Sequence, residues 1–205
     1  MPYCSISGAT EGIVDEAVLG RLLSDAGGML DRRFGRQGKR YLIDNLAGYN
    51  AAARREPWVV LIDLNGQYSC APELVADILP ISEQYMSFRV AVREVEAWLL
   101  ADSARMAEFL AVPAHRVPTN PDAIDQPKEC VVDLARKSRR RAIREDMVPI
   151  PGGGRSVGPA YTSRLIEFIQ DPAGWRPSVA AAESESLGRC RNAIDDLIRR
   201  ACPGV

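Results

Sequence analysis

The sequence predicts an α/β protein, a parallel sheet with helices on both faces, followed by a helical C-terminal half. Three observations carry that prediction. The stretch Pro57-Trp58-Val59-Val60-Leu61-Ile62-Asp63-Leu64-Asn65-Gly66 is a short, continuous apolar run closed by turn residues, the pattern of a strand buried on both faces. Strand patterns alternate with helical patterns through the first hundred residues. Beyond residue 103 only helical patterns recur, separated by proline-rich loops.

The elements follow in order. Residues 3–7 form a short strand ending at Gly8. Val14, Val18, Leu19, Leu22, Leu23 and Ala26 then recur at helical spacing, and Gly27-Gly28 ends the run. Asp15 and Glu16 complement the dipole in its first turn. Met29 to Phe34 reads as an edge strand whose charges face water, and a basic glycine turn, residues 35–40, leads into a helix over 41–55. The central strand covers 58–62. A helix over 71–79 starts at Pro72, Phe88 to Val92 alternates as a strand, and 94–102 is helical. Further helices are expected over 103–111, 127–145, 158–170 and 184–201, with a glycine-containing loop from Pro149 to Pro159. These patterns divide the chain into an α/β domain, 1–102, and a helical extension packed on it, 103–205.

Composition narrows the chemistry. An apolar share of 46% and a charged share of 26% are those of an ordinary globular chain. The net charge of −1 conceals two basic clusters, at 32–40 and 136–144. Five cysteines, odd in number and widely spaced, show no zinc motif and no disulfide framework, so a reducing cytosol is the expected setting. The N-terminus lacks the pattern of a signal peptide, and no apolar run reaches membrane-spanning length. The single histidine, His115, makes a Ser-His-Asp triad or a histidine-rich metal site a poor reading. Carboxylate chemistry remains.

In a doubly wound sheet, chemistry gathers outside the carboxyl ends of the strands. Glu11 after the first strand, Asp63 and Asn65 after the central one, and Glu94 and Glu96 after the Phe88–Val92 strand fall at such positions. Oxygen donors without histidine or cysteine suit Mg²⁺ or Mn²⁺. Glu11, Asp15 and Glu94 read equally as acids of helix first turns. Lys39 and Arg40, opening a helix, offer a cation and backbone N–H groups to phosphate. Arg139, Arg140 and Arg141 lie within a basic run suited to a nucleic-acid backbone or to a solvated helix face.

An ordered series of motifs spans the chain. It comprises Ser7-Gly8-Ala9-Thr10-Glu11-Gly12 with Asp15-Glu16, Gly38-Lys39, Val60-Leu61-Ile62-Asp63-Leu64-Asn65, and Val90 to Asp102 with its Glu-Ala-Trp-Leu-Leu-Ala-Asp segment. Pro127-Lys128-Glu129, Gly158-Pro159-Ala160-Tyr161 and Ser186-Leu187-Gly188-Arg189-Cys190 complete it. In these motifs the chain resembles a toprim-like family encoded beside AAA-type or segregation-type ATPases in bacterial defence settings, and related to the overcoming-lysogeny-defect nucleases. The resemblance implies a four-stranded, mainly parallel sheet carrying an acidic divalent-metal site.

It implies cleavage of nucleic-acid phosphodiesters with Mg²⁺ or Mn²⁺, in anti-phage defence. Glu11, Asp63 and Asn65 would hold the metal, Glu94 or Glu96 would add a ligand or orient water, and Lys128 would stabilise charge on phosphate. DNA and an ATPase are the implied partners, without a membrane, in the cytoplasm; the pattern is compatible with a homo-oligomer. Toprim proteins carry Glu-Gly directly after the first strand and Asp-x-Asp after the third. Two registers compete: Ser7 takes the glutamate's place, or Glu11-Gly12 is the Glu-Gly pair. Asn65 stands where the second aspartate would be. A non-catalytic subunit that binds DNA and an ATPase is the alternative.

Overall fold

A computed structural model describes residues 3–64 and 68–204. The chain divides into two compact units, residues 1–92 with 186–205, and residues 93–185.

The first unit is built on four strands, β1 (Cys4–Thr10), β2 (Gly28–Gly35), β3 (Trp58–Leu64) and β4 (Met86–Val92). They form one sheet in the order β2-β1-β3-β4, and every pairing is parallel. The α/β class and parallel sheet expected from the sequence are thus observed. Between the strands run α1 (Ile13–Asp25), α2 (Gly38–Ala52) and α3 (Ala71–Ile78). All seven residues of β3 are buried, as its uninterrupted apolar run requires for a strand covered on both faces. At the sheet edge, β2 instead exposes Asp31, Arg32 and Arg33, which discourages pairing with a further strand.

Side chains of a strand alternate between faces, and this separates two cores. Ala9, Trp58, Val60, Ile62 and Leu64 pack with Leu42, Leu46 and Tyr49 of α2 and Leu74 of α3. On the other face Gly8 lies so close to Leu19 of α1 and to Leu30 that a Cβ there would be 2.8 Å and 2.4 Å from their side chains. The C-terminal helix α10 (Glu185–Ala201) covers that face too, bringing Ile198 beside Ile6 and Gly28.

The cysteine expectation is corrected here. Cys4, the first residue of β1, and Cys202, just beyond α10, form a disulfide across 198 residues, with Cα atoms 5.9 Å apart. Packing of α10 against the sheet brings together two residues from opposite ends of the sequence. Cysteine usage therefore no longer argues for a reducing compartment. Among the described residues no helix is long and apolar enough to cross a membrane.

The second unit contains α4 (Val95–Ala101), α5 (Ser103–Leu110), α6 (Pro127–Arg136), α7 (Arg141–Met147), α8 (Tyr161–Gln170) and α9 (Pro177–Glu183). Trp98 and Trp175 are its largest fully buried side chains, and the Trp175 indole N–H donates to the Trp98 carbonyl at 3.1 Å. Asp102, 1% exposed, caps α5 and takes a two-pronged ion pair from Arg176 at 2.7 and 2.9 Å. The single helix expected over 127–145 is two, because Lys137 to Arg140 turn between α6 and α7 and the Arg140 N–H donates to Ser138 Oγ. Helix α9, which opens on Pro177, was not among the expected elements.

Candidate functional site

Strand β1 runs to Thr10, three residues beyond the expected end at Ser7, so Glu11 follows it directly. Ser7 lies inside the strand, 3% exposed, paired opposite Trp58. Of the two registers, Glu11-Gly12 is the one at the strand's carboxyl end. A Cβ at Gly12 would lie 3.0 Å from Asp15 Oδ2, which explains the small residue beside this glutamate. Asp15 itself is buried, 7% exposed, in the first turn of α1, a burial that its reading as a dipole-complementing acid did not anticipate.

The last residue of β1 in register with β3 is Thr10, opposite Leu61. Past that point β3 has no strand carbonyl from β1 to accept its amides, and a buried backbone amide needs an acceptor. Glu11 supplies it, its Oε1 accepting the Asp63 N–H at 2.9 Å. The Asp63 carbonyl in turn accepts from Lys39 Nζ at 2.8 Å. Residues from β1's end, β3 and the first turn of α2 are thereby joined. The Asp63 side chain belongs to the penultimate residue of β3 and is 9% exposed.

Charge and burial oppose each other at Lys39. Partial burial lowers its pKa below the ordinary lysine value, while the carboxylates of Glu11 and Asp63 work in the other direction. Lys39 was expected to face phosphate; its bond to the Asp63 carbonyl is a tertiary contact that spacing does not encode. Asn65 lies outside the described residues. Among the described residues no group of three or more His, Cys, Asp or Glu side chains is arranged to hold a metal ion. The hard oxygen donors at this strand end are the carboxylates of Glu11 and Asp63, the donor type that Mg²⁺ takes.

Glu94, Glu96 and Lys128 belong to the second unit. Glu94 stands at the N-cap of α4, and its Oε2 accepts the Lys128 N–H at 3.0 Å, satisfying an amide at the start of α6. Its Oε1 lies 3.2 Å from Lys128 Nζ, which is also 3.6 Å from Glu96 Oε1. Glu96 is 2% exposed and accepts the Tyr161 hydroxyl at 3.3 Å. Burial, and then the Glu96 charge, raise the Tyr161 pKa far above the ordinary tyrosine value, so the phenol stays protonated and donates. A lysine shared by two carboxylates, one of them buried, is a connection between α4, α6 and α8. Tyr161, read only as part of a motif, is the member that sequence reasoning missed.

Of the basic residues, Arg40 is exposed and 3.9 Å from Asp44, while Arg139, Arg140 and Arg141 are all exposed. Arg141 pairs with Glu145 at 2.7 Å; Arg139 and Arg140 have no ion pair to an acid among the described residues. Arg139 and Arg140 stand in the short turn between α6 and α7 and Arg141 opens α7, exposed cations of the kind that backbone phosphates can use.

Comparison with family models, with curated proteins and with solved structures returned no match.

Proposed function

We propose that this protein cleaves nucleic-acid phosphodiesters with a divalent cation, as a toprim-type nuclease or nickase. What supports the reading is one observation: Glu11 and Asp63 leave adjacent parallel strands at their carboxyl ends, tied by the Asp63 N–H and flanked by the Lys39 ammonium. That edge is where open α/β sheets bind ligands. Glu11 and Asp63 would hold Mg²⁺ or Mn²⁺, with Asn65, two residues beyond Asp63, as a neutral carbonyl donor. When bound, the metal supplies Lewis-acid polarisation of a phosphoryl oxygen and a more acidic water.

The chain's own residues set the stage. Glu11 and Lys39 fix the backbone around Asp63 from both of its polar sides. Lys39 adds a positive charge beside two negative ones, which lowers the repulsion an incoming phosphate would meet. Arg40 and Arg139 to Arg141 bind backbone phosphates without reading sequence. The defence setting and an ATPase partner come into the reading from the family resemblance alone.

Asn65, standing where a second aspartate would be, favours a second reading, a non-catalytic subunit that binds DNA and an ATPase. In that reading Glu11 and Lys39 only complete the end of the β3 ladder. Nicking of supercoiled plasmid in Mn²⁺ or Mg²⁺ separates the two. Nicking by the unaltered chain that is lost in Asp63→Ala supports the enzyme. No nicking in either metal, with an ATPase partner present or absent, supports the subunit.

A further inference from the structure

We propose that a cavity within the second unit binds a single nucleotide, its base against Phe109 and its phosphate on Arg105 and Arg140. The cavity measures about 310 Å³ and lies between α5, α7, α8 and the turn after α8. That is the low end of the range for ligand sites, enough for one nucleotide and too small for several.

Its apolar part is an aromatic pair. The rings of Phe109 and Phe168 stack with centroids 4.7 Å apart and planes 23° from parallel. Phe168 is 3% exposed and backs Phe109, whose partly open ring is the one a flat, π-rich base meets, whatever the base's identity. Behind Phe168 the wall is fixed by a turn: the Trp175 N–H donates to the Phe168 carbonyl at 3.0 Å, and a Cβ on Gly174 would lie 2.1 Å from that oxygen. Only glycine fits.

Its polar part is three guanidinium groups from three elements, Arg105 on α5, Arg140 before α7 and Arg164 on α8, with the carboxylates of Glu108, Glu167 and Asp171 beside them. Arg164 is engaged by Asp146 at 2.7 Å and by Glu167 at 2.9 Å. Arg105 is engaged through Nη1 with Glu108 at 2.7 Å, but its Nε is shut from solvent with no hydrogen-bond partner. A buried N–H left unmade is costly, so an acceptor in the cavity lets Arg105 regain in a new pose what its present pose forgoes. Arg140 has no ion pair to an acid among the described residues and also belongs to the exposed basic run of 136–144. Guanidinium forks match phosphate oxygens, and the Phe109 ring adds apolar contact that a bare anion leaves unused. A nucleoside phosphate satisfies both parts. It arrives either as a free nucleotide or as an unpaired nucleotide of a single strand.

This site needs neither Glu11 nor Asp63, and stands whether or not those residues support cleavage. The test is calorimetric titration of the full chain with adenosine 5′-monophosphate, with a short single-stranded oligonucleotide and with inorganic phosphate. Binding of the monophosphate, weakened about tenfold or more in Arg140→Ala and Arg105→Ala and unchanged in Asp63→Ala, supports a free-nucleotide site. Binding of the oligonucleotide alone, with the same variant pattern, supports the unpaired nucleotide of a strand. Fluorescence of the buried Trp98 and Trp175 verifies that each variant keeps the unit folded. If Arg105→Ala unfolds it, Arg140→Ala and Phe109→Leu decide. No binding of either ligand, binding indifferent to Arg140→Ala, or inorganic phosphate binding as tightly as the monophosphate would overturn the proposal.

Discussion

Breaking the bond between Cys4 and Cys202 should cost the first unit much of its stability. The bond joins the start of β1 to the residue after α10 and closes 198 residues of chain. In the chain-entropy account, a loop of that length withholds about 5 kcal/mol of freedom from the unfolded state at room temperature. Measured effects fall below that limit, and about 2–4 kcal/mol is the usual range. Set against a total of about 5–15 kcal/mol for a typical domain, the loss is large. Urea unfolding of Cys202→Ser and of the unaltered chain, each with and without reductant, reads it directly. The expected result is a lower midpoint for Cys202→Ser, an equal drop for the unaltered chain in reductant, and no further drop for the variant. Cys190 is buried in α10 with its thiol pushed up to about 12 and gives no competing exchange partner, and the exposed Cys70 is replaced by serine in both chains. A loss below about 1 kcal/mol, or a reductant effect that persists in Cys202→Ser, would refute the reasoning.

Two further outcomes follow from the geometry. Gly35 has φ +90°, and a Cβ there would lie 2.2 Å from the Thr10 carbonyl oxygen, so Gly35→Ala should destabilise by at least about 1–3 kcal/mol in denaturant titration. Tyr161 is protonated in the folded protein well above the pH, about 10, at which an unfolded tyrosine ionises. Above that pH the unfolded chain sheds a proton that the folded chain keeps, so stability falls as pH rises, by about 1.4 kcal/mol per unit from this group. Tyr161→Phe should therefore flatten alkaline unfolding while costing about 1 kcal/mol near neutrality through the lost bond to Glu96. An unchanged alkaline slope would contradict the assignment.

How far each feature was legible depends on whether its cause is local. The β3 strand was legible because burial on both faces demands an unbroken apolar run, and Trp58 to Ile62 supplies one. The end of β1 was not: Gly8 and Ala9 carry little strand signal, and parallel pairing with β2 and β3 holds the segment extended to Thr10. The break between α6 and α7 was hidden by a charge run that continues the helical pattern, while the Arg140 N–H donating to the Ser138 hydroxyl closes the turn. Position at a strand end made Asp63 a candidate. Its ties to Glu11 and Lys39 are contacts across 52 and 24 residues, set by how strands and α2 assemble rather than by any spacing. The Cys4–Cys202 pair is the extreme case, since its partners are brought together only by the completed fold.

The proposed activity stands most directly on Asp63. Supercoiled plasmid incubated with the full chain in Mn²⁺ should be nicked, and Asp63→Ala should abolish nicking while the variant keeps the circular-dichroism spectrum of the unaltered chain. Equal nicking by the unaltered chain and by Asp63→Ala would contradict the assignment of catalysis to this strand end.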